Sequence, residues 1–225
     1  MQTDISLTYH KNVLLVPIVT ICVIWFIYWL EIRFGYNFNK YGIFPRSFRG
    51  LRGVFLSPFI HSDVSHLFNN SVPLFALMAS LFYFYKEIAF KILLIGTILT
   101  GLLCWSFARD SYHIGASGVI YLLFSFIFFS GIIRKYYRLI AMSLVVIFLY
   151  GSMMWFILPT EDRISWEGHL SGFLIGLLFA ILLRKKGIVK EQYQFSETEF
   201  DLLFDENGNF SPSKLEEETQ EKDKN

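Results

Sequence analysis

Six apolar stretches recur along this chain, at about residues 13–30, 66–85, 88–107, 115–131, 137–158 and 167–183. A bilayer core of about 30 Å is crossed by roughly 20 apolar residues in helical form, because nothing in hydrocarbon satisfies an open backbone. The pattern predicts an all-α polytopic membrane protein, a six-transmembrane-helix bundle. Composition agrees: 54% of the 225 residues are hydrophobic, 25 are Phe and only 17% are charged. A soluble domain of this size has no core large enough for them. Of the 19 acidic residues, 11 fall within 191–225, so the body is more apolar still. The net charge of +1 gives no reason to expect nucleic acid. Cys22 and Cys104 lie inside apolar runs, which speaks against a disulfide framework.

The first stretch begins after Lys11, is too long for a signal-peptide core and lacks a small-x-small cleavage pattern, so a retained helix is expected. Six spans place both termini on one side, and Lys and Arg choose which. With the amino terminus inside, ten basic residues flank the inner boundaries and seven lie outside, five of them within 31–65. That loop, rich in aromatics, Gly and Pro, reads as a structured outer element with its own role. Setting it aside leaves ten inside and two outside, so both termini are expected in the cytoplasm. The domain plan is a cytoplasmic segment 1–12, a membrane domain 13–186 containing the 31–65 loop, and an acidic tail 187–225 expected to be disordered.

Ionisable or strongly polar groups inside a span are costly and are functional candidates by default. His66, Asn69 and Asn70 open the second stretch, Ser117 the fourth and His169 the sixth. These three stretches run in the same direction, so the polar groups share one depth, one or two turns below the outer surface. Their helical phases agree too. His66 and Asn70 are i,i+4. His169, Gly172 and Gly176 form one stripe, with Gly168 beside it, where another backbone can approach closely. Gly115, Ala116 and Gly118 do the same around Ser117. Ser117 and His169 are therefore expected within hydrogen-bond reach, with Tyr121 stacked on the His169 ring.

The simplest chemistry these groups support is nucleophilic catalysis, Ser117 attacking and His169 serving as base. Glu167 falls on the other side of its helix, which favours a dyad over a triad. His66, Asn70 and the Ser117 backbone N–H are candidate oxyanion donors, one such donor being worth about 2.7–4 kcal/mol. Each group alone has a plainer reading. A Ser at a Gly-rich helix start packs, a His near a helix end lines an interface, and an Asn bonds a neighbouring helix. The conjunction at one depth is what favours function.

At these residues the sequence resembles the rhomboid family of intramembrane serine proteases. The family's Gly-x-Ser-Gly reads Gly115-Ala116-Ser117-Gly118; its His-x-x-x-Asn reads His66 to Asn70, with His61 matching a further upstream His. Its Gly-His-x-x-Gly reads Gly168 to Gly172, and Tyr121 matches the Tyr one turn after the Ser. The Trp-Arg common in the family's first loop reads Leu51-Arg52. The resemblance spans about 13–183. It implies hydrolysis of peptide bonds in or near transmembrane segments of membrane-protein substrates, without metal or cofactor. It also implies residence in a bacterial inner membrane, with the site opening outward. The segment 153–165, broken by Pro159, is the expected lid and lateral gate.

Two other classes stay open on the residues alone. A metal or haem site would use His61, His66 and His169, but no His-Glu-x-x-His is present and Gly115–Gly118 goes unexplained. A catalytically silent rhomboid-like binding or chaperone module, or a channel, would use the same cavity. Phe195, Phe200, Leu203 and Phe204 in the tail are candidate partner-docking residues.

Overall fold

A computed structural model describes residues 10–149, 155–159, 164–186, 200–204 and 207–210. Among them the apolar stretches all form helix, and no strand is present. The helices are α1 (Asn12–Phe34), the short α2 (Gly53–Leu56), α3 (Val64–Phe84), α4 (Ala89–Phe107), α5 (Ser117–Ile133), α6 (Tyr137–Leu149) and α7 (Trp166–Leu182).

Among the described residues, only α1, α3 and α4 are both long and apolar enough to cross a membrane by length and composition. With 17 residues each, α5 and α7 rise about 26 Å, at the lower limit for a span. Helix α6 is described to Leu149, and Trp155–Ile157 forms a 3-10 turn. The apolar run persists there, but Pro159 lies just beyond, and the residue before a proline is pushed out of helical conformation.

The most extensive helix contact joins α5 to α7, and α4 packs against both. Small residues permit it. A Cβ on Gly172 would stand 2.0 Å from the Gly118 carbonyl oxygen, and one on Gly176 would stand 2.3 Å from that of Leu122. In lipid, where apolar burial drives helices together only weakly, such backbone contact is a main source of association. Helix α5 is consequently apolar all round and mostly buried, whereas α1 packs on α3 and buries only Val13, Pro17 and Ile24. Leu14, Leu15, Ile18, Val19, Phe26 and Trp29 stay exposed on its outer face.

Between α1 and α3, residues 35–63 form 3-10 turns and α2, and α2 packs on α4. Ile43 and His113 exchange backbone hydrogen bonds of 2.9 and 2.8 Å, and the Trp105 indole donates to the Ser47 carbonyl at 2.9 Å. Arg46 pairs with Asp110. Where the family commonly has Trp-Arg, Leu51 is half-buried and Arg52 orders the segment itself. Its guanidinium sits 4.5 Å over Tyr41 and donates to the Lys40 carbonyl at 2.8 Å.

Residues 191–225 make a separate compact unit. Its described part holds a 3-10 turn at Asp201–Leu203, a backbone bridge between Phe204 and Phe210, and ring contacts linking Phe200, Phe204 and Phe210. The segments 1–9 and 187–190, residues 153–154 and 160–163 of the expected lid, Phe195 and the rest of the tail lie outside the described residues.

Candidate active site

Three helix starts converge on one point. Helix α3 starts at Asp63, whose carboxylate accepts the His66 backbone N–H at 2.8 Å, a standard N-cap. That bond and the Ser62 hydroxyl hold the Asp63 carboxyl below its usual range. Helix α5 starts at Ser117, after Gly115 turns the chain at φ +105°. A side chain there would be strained, and its Cβ would meet His66 Nε2 at 2.7 Å. Helix α7 starts at Trp166, three residues before His169.

Ser117 Oγ and His169 Nε2 lie 2.8 Å apart. On its other side His169 Nδ1 is 2.9 Å from the Phe156 carbonyl oxygen. A carbonyl only accepts, so Nδ1 carries the hydrogen and Nε2 is free to accept the Ser117 hydroxyl proton. The Tyr121 ring stacks on the imidazole at 4.3 Å and 19°. With the ring buried and held on three sides, both the rotamer and the tautomer of the base are set before any ligand arrives.

His66 and Asn70 lie on the α3 face toward this pair. Asn70 is buried, and its amide donates to the His66 carbonyl at 2.8 Å, leaving its second N–H. Ser62 Oγ donates to Asp63 at 2.7 Å, so the contact of 3.1 Å from His66 Nδ1 to Ser62 uses the ring hydrogen. A neutral His66 therefore turns a bare Nε2 toward Gly115, and only the protonated ring presents a donor there. His61, packed edge-on against His66, accepts the Ala116 N–H at 3.4 Å through Nε2. Burial, and next the neighbouring His66, bring His61 down to about 3, so it is neutral.

Beside Ser117 a cavity of about 30 Å³ is lined by Thr100, Cys104, His113, Ser165 and Gly168, enough for a water molecule or two. The Thr100 hydroxyl oxygen is buried there without a partner, a place for such a water to bond. Among the described residues, no three His, Cys, Asp or Glu groups converge as a metal site would require.

Three features were missed by reading the sequence. The Phe156 carbonyl carries no sequence signal, since every residue has one. His113 was passed over although it stands two residues before Gly115. Glu167 was set aside because it faces away from His169, and it does; its carboxylate reaches Arg109 and His113 instead.

A helical membrane protein with a Ser–His pair recessed at the starts of two packed helices defines the class. The chain belongs to the rhomboid family: the Rhomboid domain profile matches residues 49–186. It is similar to uncharacterized proteins of Mycobacterium tuberculosis and Mycobacterium bovis, each 34% identical over 164 residues, covering 66% of this chain and 66% of the relative. An uncharacterized Mycobacterium leprae protein is 32% identical over 156 residues, 63% of this chain and 61% of that one. The chain thus spans just under two thirds of the length of these relatives.

Proposed function

We propose that this protein is an intramembrane serine endopeptidase that hydrolyses peptide bonds in or near transmembrane segments of membrane-protein substrates. The observation that carries this reading is the 2.8 Å Ser117–His169 contact, with the tautomer of His169 set by the Phe156 carbonyl. His169 Nε2 takes the hydroxyl proton as Ser117 Oγ bonds to the scissile carbonyl carbon. Negative charge then collects on the carbonyl oxygen. The Ser117 N–H, at a helix start where the first N–H groups lack intrahelical partners, faces that charge together with Asn70. The C–N bond breaks as His169 returns the proton to the leaving nitrogen. A water, deprotonated by the same ring, then hydrolyses the acyl-enzyme.

In this reading the six apolar helices all span a bacterial inner membrane. Both termini lie in the cytoplasm and the site opens outward, as the basic residues at the helix ends favour. Substrate segments must leave helical form to expose a carbonyl, so cleavage favours helix-breaking sequences with a small residue at the cut. A fluorophosphonate probe tests the dyad: it should label the wild type, fail on Ser117→Ala, and be indifferent to chelators. Labelling that persists in the variant would sink the reading.

A further inference from the structure

A second buried polar cluster sits at the same end of α7. Glu167, the second residue of that helix, is only 1% exposed. Its Oε1 accepts the Arg109 backbone N–H at 3.2 Å and lies 3.6 Å from Arg109 Nε. Its Oε2 is buried without a hydrogen-bond partner, 4.0 Å from His113 Nδ1. Arg109 Nη2 donates to the Ile164 carbonyl at 2.6 Å. His113 donates from Nε2 to the Arg109 carbonyl (3.0 Å) and accepts the Ser165 hydroxyl at Nδ1 (2.7 Å).

A buried carboxylate is costly unless its partners compensate, so this one needs a reason. Glu167 and His169 are two residues apart, about 200° around a helix, so the carboxylate is not the third member of a triad. What it joins is two chain segments. One is the 108–116 connection, which ends at Ser117. The other is the entry to α7, where the His169 N–H bonds the Ser165 carbonyl at 3.2 Å. The two helix backbones meet at Gly118 and Gly172, which sets their separation. The charged cluster ties their starts together.

We propose that Glu167 is a positioning residue for the dyad: with Arg109, His113 and Ser165 it latches the entry of α7 to the segment that delivers Ser117, and so holds the Ser117–His169 distance. This rests on the protease reading above. Near-attack geometry is steep, a displacement of about 1 Å costing on the order of 10²-fold in rate.

The test uses the full chain in detergent micelles with Glu167→Gln, Arg109→Met and the double variant. It reads kcat, KM, the end point of fluorophosphonate labelling and the melting temperature. Glu167→Gln should lower kcat per labelled Ser117 by about 10- to 100-fold, with KM within about twofold of wild type. Glu167→Asp should recover part of the loss. The double variant should be no slower than the worse single one, because both break one latch. If Glu167→Gln does not fold, Arg109→Met carries the same expectation, since it leaves the backbone bond to Glu167 in place. A merely architectural acid would lower melting temperature and labelled yield while kcat per labelled site stayed at wild type; that outcome, or additive losses in the double variant, overturns the proposal. A wild type that neither cleaves nor labels instead sinks the protease reading. The latch is then judged on melting alone, where non-additive shifts support it and additive shifts overturn it.

Discussion

Where α7 stops, Arg134 at the end of α5 donates to the Ser130 hydroxyl at 2.8 Å and to the carbonyls of Leu183 (2.7 Å) and Lys186 (2.6 Å). Its guanidinium lies 5.4 Å over the Tyr85 ring, and the Tyr85 hydroxyl closes the cluster on Ser130 at 2.7 Å. Where α7 starts, His61 Nδ1 and Thr100 Oγ1 are buried without partners near the Ser117–His169 pair. Both ends of one helix seam are polar, yet they are built differently. The Arg134 end meets the carbonyls of the α7 C-cap Leu183 and of Lys186 just beyond it with a cation, where the dipole favours positive charge. The Ser117 end keeps hydrogen-bonding capacity unspent. Buried polar atoms are rarely left in that state, and in the proposed function they stand beside the place where water would enter and charge would develop. One end holds the seam together, and the other, in the proposed function, is left incomplete for a reaction to complete.

That contrast is broken most sharply by Ser117→Ala and His169→Ala. Each should abolish cleavage of a transmembrane reporter with protein level and melting temperature preserved; near wild-type cleavage by either variant removes the dyad.

Next in size is Asn70→Ala. Turnover should fall by about 10²–10³-fold, because the lost donor acts on charge that exists only in the transition state. Melting should move by no more than an interhelical bond is worth, about 0.6 kcal/mol. A large melting shift with unaltered turnover would make it structural and erase the difference between the two ends.

Arg134→Met sharpens the comparison from the other side. Hydrogen bonds to a charged group contribute about 1.5–3 kcal/mol, and stability should drop on that scale. Measured per folded molecule, kcat should stay at wild type; a fall in kcat at constant folded fraction would mean the two ends are coupled. The smallest effect is expected from removing residues 191–225, a separate compact unit that contributes none of the site residues. Activity in proteoliposomes should be unchanged, and its loss at constant protein level would bring the tail into the enzyme.

The membrane class and the convergence of Ser117, His169 and Tyr121 were legible from sequence because both rest on local regularities. Apolar run length reports on crossing a bilayer, and helical phase reports on which side chains share a face. The Gly172 and Gly176 stripe was legible for the same reason, since close backbone approach demands small residues at one phase. Tertiary structure decided what lies in the connections, where no period exists. The Phe156 carbonyl that orients His169 is a backbone group that no residue type signals. The Ser62 hydroxyl that turns the His66 hydrogen away from the site acts through one proton, which side-chain spacing does not reveal. The partners of Glu167 lie more than 50 residues away in chain, brought to it by the packing of α4, α5 and α7.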